Sequence, residues 1–171
     1  MNDPAPFDPH ALFETLEANK VHYVVVGGFA RVVHGTAELT RGLDIAPALV
    51  DSNLRALDRA LAELGASGDN REPLTADTLA SGDPITISTP AGTLNLVPAP
   101  WGTRGYDDLR IRGNRENLGR GLRPQIASTV DLVRMLDASH RPEDAARLQR
   151  LRRLMELERV RNRRRGVQLE R

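Results

Sequence analysis

The stretch Val24-Val25-Val26-Gly27-Gly28, followed by Thr40-Arg41-Gly42-Leu43-Asp44-Ile45 and later by Gly92-Thr93-Leu94-Asn95-Leu96-Val97, decides how this chain folds. Val21-His22-Tyr23-Val24-Val25-Val26 is short, β-branched and nearly all apolar, the composition of a strand covered on both faces. A glycine pair ends it, and Phe29-Ala30-Arg31-Val32-Val33-His34 continues as a short helix up to Gly35, giving strand, glycine turn and helix. Such a turn exposes backbone amides at a helix N-terminus, where anions are held. Leu43-Asp44-Ile45-Ala46 reads as a second strand. Alternation turns Asp44 away from Leu43 and Ile45, and Asn95 away from Leu94 and Leu96, so neighbouring strands would bring Asp44 and Asn95 together on one face.

Outward from this centre, Leu12, Phe13 and Leu16 mark a helix over 9–19 started by Asp8-Pro9, and Leu54, Leu57, Leu61 and Leu64 mark another capped by Asp51-Ser52-Asn53. A polar stretch covers 66–83. Ile85–Ser88 and Thr93–Val97 flank Thr89-Pro90-Ala91-Gly92, the signature of an antiparallel hairpin with a four-residue turn. Residues 98–125, rich in Gly and Pro, read as an irregular connection with short strands near 109–112 and 122–126. Ser128-Thr129 starts one closing helix, and Arg141-Pro142-Glu143-Asp144 starts a second that carries Leu148, Leu151, Leu154 and Leu157 and then gives way to Arg159–Arg171.

The 171 residues are 40% apolar and 27% charged, an ordinary globular mixture of single-domain size. Without cysteine, disulfides, thiolate metal sites and a cysteine nucleophile are excluded. No apolar run is long enough for a membrane span and the N-terminus lacks a signal-peptide layout, so a cytoplasmic protein with no membrane partner is expected. The net charge of +1 hides an asymmetry: residues 150–171 hold nine Arg against three Glu, leaving −5 on the rest. Of the 24 basic residues only Lys20 is a lysine, which makes any phosphate contact an arginine fork rather than a point charge.

The order of these motifs resembles the nucleotidyltransferase superfamily and, within it, the small bacterial proteins related to the AbiEii/AbiGii toxins. The likeness spans roughly residues 10–158. The resemblance implies an α/β (α+β) fold, a mixed sheet flanked by helices with further helices at the C-terminus, as a domain over 1–158 followed by a basic tail over 159–171. Gly27 and Gly28 match the family's glycine pair, Gly42-Leu43-Asp44 its Asp-x-Asp strand and Asn95 its third Asp. In such enzymes carboxylates hold two magnesium ions that carry nucleotidyl transfer. Here Gly42 stands at the first Asp and Asn95 at the third, while Leu136 and Glu143 stand near positions where relatives carry lysine.

These departures remove negative charge where metal would sit and positive charge where triphosphate would sit. The expectation is therefore a pseudoenzyme or repurposed enzyme that has lost metal-dependent NMP transfer. It would use the old pocket to bind a small molecule or for metal-free acid/base catalysis, with no metal ligands and no cofactor. Asp44 and His34 are the candidate catalytic residues, and Gly27, Gly28, Arg31, Arg41, Asn95 and Tyr106 the candidate binding residues. One alternative is an active toxin-like transferase that uses Mg2+ and a nucleoside triphosphate to modify RNA or protein. The other is a non-catalytic module whose arginine-rich tail, lacking stacking aromatics, makes weak salt-dependent contacts to nucleic acid or engages a partner.

Overall fold

The computed structural model describes residues 6–66 and 72–169, with side chains to 166, so part of the polar stretch 66–83 and the last two residues of the basic end lie outside it. Thirteen elements follow in order: α1 (Pro9–Ala18), β1 (Tyr23–Val26), α2 (Gly27–His34), β2 (Gly42–Pro47), α3 (Asp51–Glu63), α4 (Ala76–Leu79), β3 (Ile85–Thr89), β4 (Gly92–Leu96), α5 (Tyr106–Leu109), β5 (Asn114–Arg115), β6 (Gln125–Ile126), α6 (Thr129–Ser139) and α7 (Pro142–Leu169).

The strands form one mixed sheet in the order β3-β4-β2-β1-β6-β5. β1 lies at its centre, antiparallel to β2 and parallel to β6, and all four of its residues are buried, as an apolar strand covered on both sides requires. β2 runs parallel to β4 with Asp44 opposite Asn95, and the β3–β4 hairpin closes that edge. Its connection is only Pro90-Ala91, between the paired Thr89 and Gly92, tighter than a four-residue loop. The core takes Leu12, Phe13 and Leu16 from α1, Leu43 and Ile45 from β2, and Leu54, Leu57 and Leu61 from α3, each 0–1% exposed. At about 25 cal/mol per Å² of apolar area, these burials are the main force holding sheet and helices together.

Local chemistry explains the helix starts. Asp8 caps α1 by accepting from the Ala11 amide, and Ser128 caps α6 by accepting from the Asp131 amide. In α3 the expected cap is absent: Val50 precedes the helix and Asp51 opens it without a side-chain cap bond. Asn53 is used differently. Its Oδ1 accepts from the His22 amide at 2.7 Å, and its Nδ2 donates to the carbonyls of His22 and Ala48, each at 2.9 Å, riveting α3 to the start of β1 and the end of β2.

Two further differences matter. Gly27 and Gly28 belong to the first turn of α2 rather than preceding it, and the irregular connection yields the short helix α5 and the two-residue strands β5 and β6. α7 continues without a break through residue 158, although its side chains are exposed over 159–166. No helix among the described residues is long and apolar enough to cross a membrane.

Because Asn53 is buried and satisfies two strand-end carbonyls and one amide, Asn53→Ala is expected to cost about 2–3 kcal/mol through the groups it orphans. Urea unfolding of the two proteins measures it. A loss below about 0.5 kcal/mol would show that water replaces the rivet.

Candidate functional site

The glycine turn, β2 and β4 come together at one end of a cleft of about 610 Å³, within the range of small-molecule sites. Its floor is the Asp44–Asn95 pair: the Asn95 Nδ2 donates to Asp44 Oδ1 at 2.7 Å. Gly27 adopts a φ of +69°, and a Cβ built there would lie 2.2 Å from Asp44 Oδ2. Only glycine therefore allows the chain to turn at this point with the carboxylate where it is. Gly42, two residues before Asp44, leaves the flank of the floor without a side chain.

The facing wall is built from α2, the segment after it and the α6–α7 junction. Arg31, only 8% exposed, chelates Glu38 through Nε and Nη2, both at 2.9 Å. Arg147 on α7 approaches the same carboxylate at 3.8 Å and donates to Asp144 Oδ1 at 2.8 Å. Asp144 also accepts from the Ser139 hydroxyl and from Arg141 Nε. Arg141 in turn lies 4.8 Å over the ring of Trp101, an exposed aromatic at the cleft rim. Burial pushes the Asp144 carboxyl up, but hydrogen bonds from Ser139, Arg147 and Arg141 outweigh it and hold the group below its ordinary value. Glu38 behaves alike: desolvation is outweighed by bonds from Arg31 and Thr36 and by the charges of Arg31 and Arg147. Arg41, exposed at the rim, has no carboxylate within salt-bridge distance among the described residues.

Of the residues singled out from sequence, the cleft gathers Gly27, Gly28, Arg31, Arg41, Asp44 and Asn95. His34 and Tyr106 are placed elsewhere. His34 donates from Nε2 to the Ala127 carbonyl at 2.8 Å, tying the end of α2 to the chain leading into α6, and it does not line the cleft. Tyr106 sits at the start of α5, with Arg110 5.9 Å from its ring. Sequence reasoning named Arg31 and Arg41 but missed Arg147, and it expected positive charge to be lost where triphosphate would sit. Arg141, just before α7, and Arg147, in its second turn, supply cations although lysine is missing at 136 and 143. The signal available was Asp144-x-x-Arg147, an acid and base three apart at a helix start.

The charged groups lining the cleft balance: Arg31, Arg41, Arg141 and Arg147 against Glu38, Asp44, Asp83 and Asp144. Along the wall the arginines alternate with Glu38 and Asp144, and Asp44 stands apart on the floor. Among the described residues no three His, Asp or Glu side chains converge as a metal site.

Comparison with protein-family models and with curated protein sequences finds no match. Among solved structures, the chain is similar to the solution structure of the antibiotic-resistance factor ANT(2'')-Ia, a nucleotidyltransferase. The two share 14% identity with a TM-score of 0.54, over 95% of this chain and 92% of that one. The likeness shows the fold, a nucleotidyltransferase-like mixed sheet with flanking helices.

Two outcomes follow from this geometry. Gly27→Ala is expected to lower stability by about 1–2 kcal/mol from the left-handed backbone alone, with the displacement of Asp44 in addition, whereas Gly28→Ala, whose added Cβ meets nothing nearer than 3.6 Å, is the near-neutral control. Equal urea midpoints for the two variants would remove the steric argument. Glu38 and Asp144 both titrate below their ordinary values, so the stability they add is full above the usual carboxylate range, near pH 4–4.5, and is lost as pH falls through their lower folded-state values. Urea midpoints between about pH 6 and pH 2.5 should show this acid limb, shallower in Asp144→Asn; an unchanged slope would show that the wall is not linked to proton uptake.

Proposed function

We propose that the protein keeps the nucleotidyltransferase fold but binds a small molecule in this cleft instead of carrying out metal-dependent NMP transfer. The observation that carries the reading is the Asp44–Asn95 pair. Two-metal chemistry asks for carboxylates that bridge hard cations. At this floor one carboxylate has an oxygen engaged by a neutral amide, and the position two residues before it is glycine. That donor set does not fit two magnesium ions.

The same groups suit a ligand of mixed polarity. Its anionic group would lie toward the helix N-terminus at Gly27-Gly28 and toward Arg41, Arg141 and Arg147, where guanidinium forks hold carboxylate or phosphate oxygens. A hydroxyl or amine would lie over Asp44. Asn95 fixes the plane of that carboxylate, leaving Asp44 to accept a hydrogen bond or to take a proton in metal-free acid/base chemistry.

Titration calorimetry with each nucleoside triphosphate and magnesium tests the reading. Dissociation constants weaker than about 1 mM, less than roughly 4 kcal/mol of binding, are expected. A micromolar constant would favour the active transferase instead. The double variant Gly42→Asp/Asn95→Asp should raise magnesium affinity if these are vacated ligand positions. Its fold is checked by melting temperature, because a Cβ at Gly42 comes 3.1 Å from the Thr93 carbonyl. Asp44→Asn should leave stability within about 1–2 kcal/mol of the parent while removing any activity of the cleft.

A further inference from the structure

The distal part of α7 is a helix whose side chains lie exposed among the described residues. Residues 159–166 are all exposed, Val160 at 39%, whereas earlier residues seat the helix: Leu151 is buried and the Leu154 side chain lies against Gly35. Arg159, Arg161, Arg163, Arg164 and Arg165 lie within seven residues, and none has a carboxylate within 4 Å among the described residues. Upstream, Arg152 reaches Asp137 at 3.5 Å, so pairing resumes once the helix meets the body.

The pattern is unfavourable for an isolated helix. Arg159 and Arg163, and Arg161 and Arg165, are like charges four apart, which repel across one turn. A helix that is polar all round has no apolar face to stabilise it by burial. A dense anionic partner would remove that repulsion. The placement of the arginines says what shape it has: at about 100° per residue the five side chains fall near 0, 40, 140, 200 and 240° around the axis. A flat anionic surface would meet only one side of such a helix, and a membrane would also want an apolar face, which Leu157 and Val160 alone do not make. A groove walled by phosphates on both sides meets all of it. The B-DNA major groove, about 12 Å wide, admits an α-helix, whereas the A-form RNA major groove is too narrow for side-chain readout.

We propose that the exposed arginine segment 159–165 of α7 is a docking helix that lies in the major groove of duplex DNA and holds its phosphates without reading sequence. The segment carries no aromatic side chain to stack on bases, and its five arginines, spread around the helix rather than along one base-facing stripe, suit contacts to the phosphates on both walls of the groove. This surface lies apart from the cleft and does not depend on what the cleft binds.

Fluorescence anisotropy of the full chain with a labelled 20-base-pair DNA duplex, from 25 to 200 mM salt, is the test. Each phosphate neutralised contributes a slope of about −0.9 in log affinity against log salt, so three to five contacts give about −3 to −4.5. Replacing the five arginines with Gln should weaken binding at 50 mM salt at least tenfold and flatten the slope, with an unchanged melting temperature because none of the five packs on the body. Hydrogen exchange gives an independent measure, with amide protection over 159–165 on adding DNA. Absence of binding at the lowest salt, full binding by the Gln variant, or no added protection over 159–165 would overturn the proposal. Duplex RNA, single-stranded DNA or phosphatidylglycerol vesicles bound as tightly as duplex DNA would overturn it too.

Discussion

Asp44 sits so close to Gly27 that the layout of the site follows from that one contact. The carboxylate occupies the space that any other residue at 27 would need for its Cβ, and the backbone there takes the left-handed turn that glycine tolerates. The turn sets α2 beside β2 rather than beyond it, and α2 carries Arg31 toward the cleft. Parallel pairing of β2 with β4 then brings Asn95 opposite Asp44, and the amide takes Oδ1, the oxygen turned away from Gly27. Glycine, acid and amide thus define one another's positions, the acid and amide held by sheet backbone and the glycine as the first residue of α2.

The second structural theme is a relay of paired charges. Arg31, Glu38, Arg147, Asp144 and Arg141 alternate in sign from α2 to the start of α7 and end on the ring of Trp101. An isolated surface ion pair contributes little, but Asp144 is 2% exposed and accepts from three donors, so removing one partner leaves a buried charge poorly matched. The relay joins helices that are distant in sequence and shapes the wall opposite Asp44. Binding an anion there means competing with Glu38 and Asp144 for guanidinium groups already engaged, whereas Arg41 is free of that competition.

Much of this was legible before any coordinates. The valine run, the apolar stripes of α1, α3 and α6, and the alternation around Asp44 and Asn95 are local patterns, and local patterns survive folding when packing agrees with them. What was not legible depended on distant partners. Asn53 looked like a helix cap because its neighbours suit one, yet the open carbonyls of His22 and Ala48 claim its amide. His34 looked like an acid or base beside the glycines, but its helix turns it to the Ala127 carbonyl. Arg147 carried only the local signal of an acid and a base three apart, and its approach to Glu38 depends on where α7 packs. β5 and β6, two residues each, are too short for a period of two to show. The end of α7 was lost for the opposite reason: its apolar stripe stops, but arginine is a good helix former, so the helix runs on without it.

The balance of charge in the cleft bears on what it can hold. A nucleoside triphosphate brings about four negative charges, and transferases offset them with two divalent ions whose own charge is met by carboxylates. Four arginines against four acids offer no such surplus of either sign. At a separation of 4 Å an uncompensated pair of like charges costs about 4 kcal/mol near a protein surface, and here Arg31, Arg141 and Arg147, which could offset a triphosphate, are already paired with Glu38 and Asp144. A molecule with one anionic group at the arginine wall and one donor over Asp44 meets each group with its opposite. Balanced charge is thus consistent with the proposed small ligand of mixed polarity, just as the unbalanced arginines of α7 are consistent with the proposed polyanion.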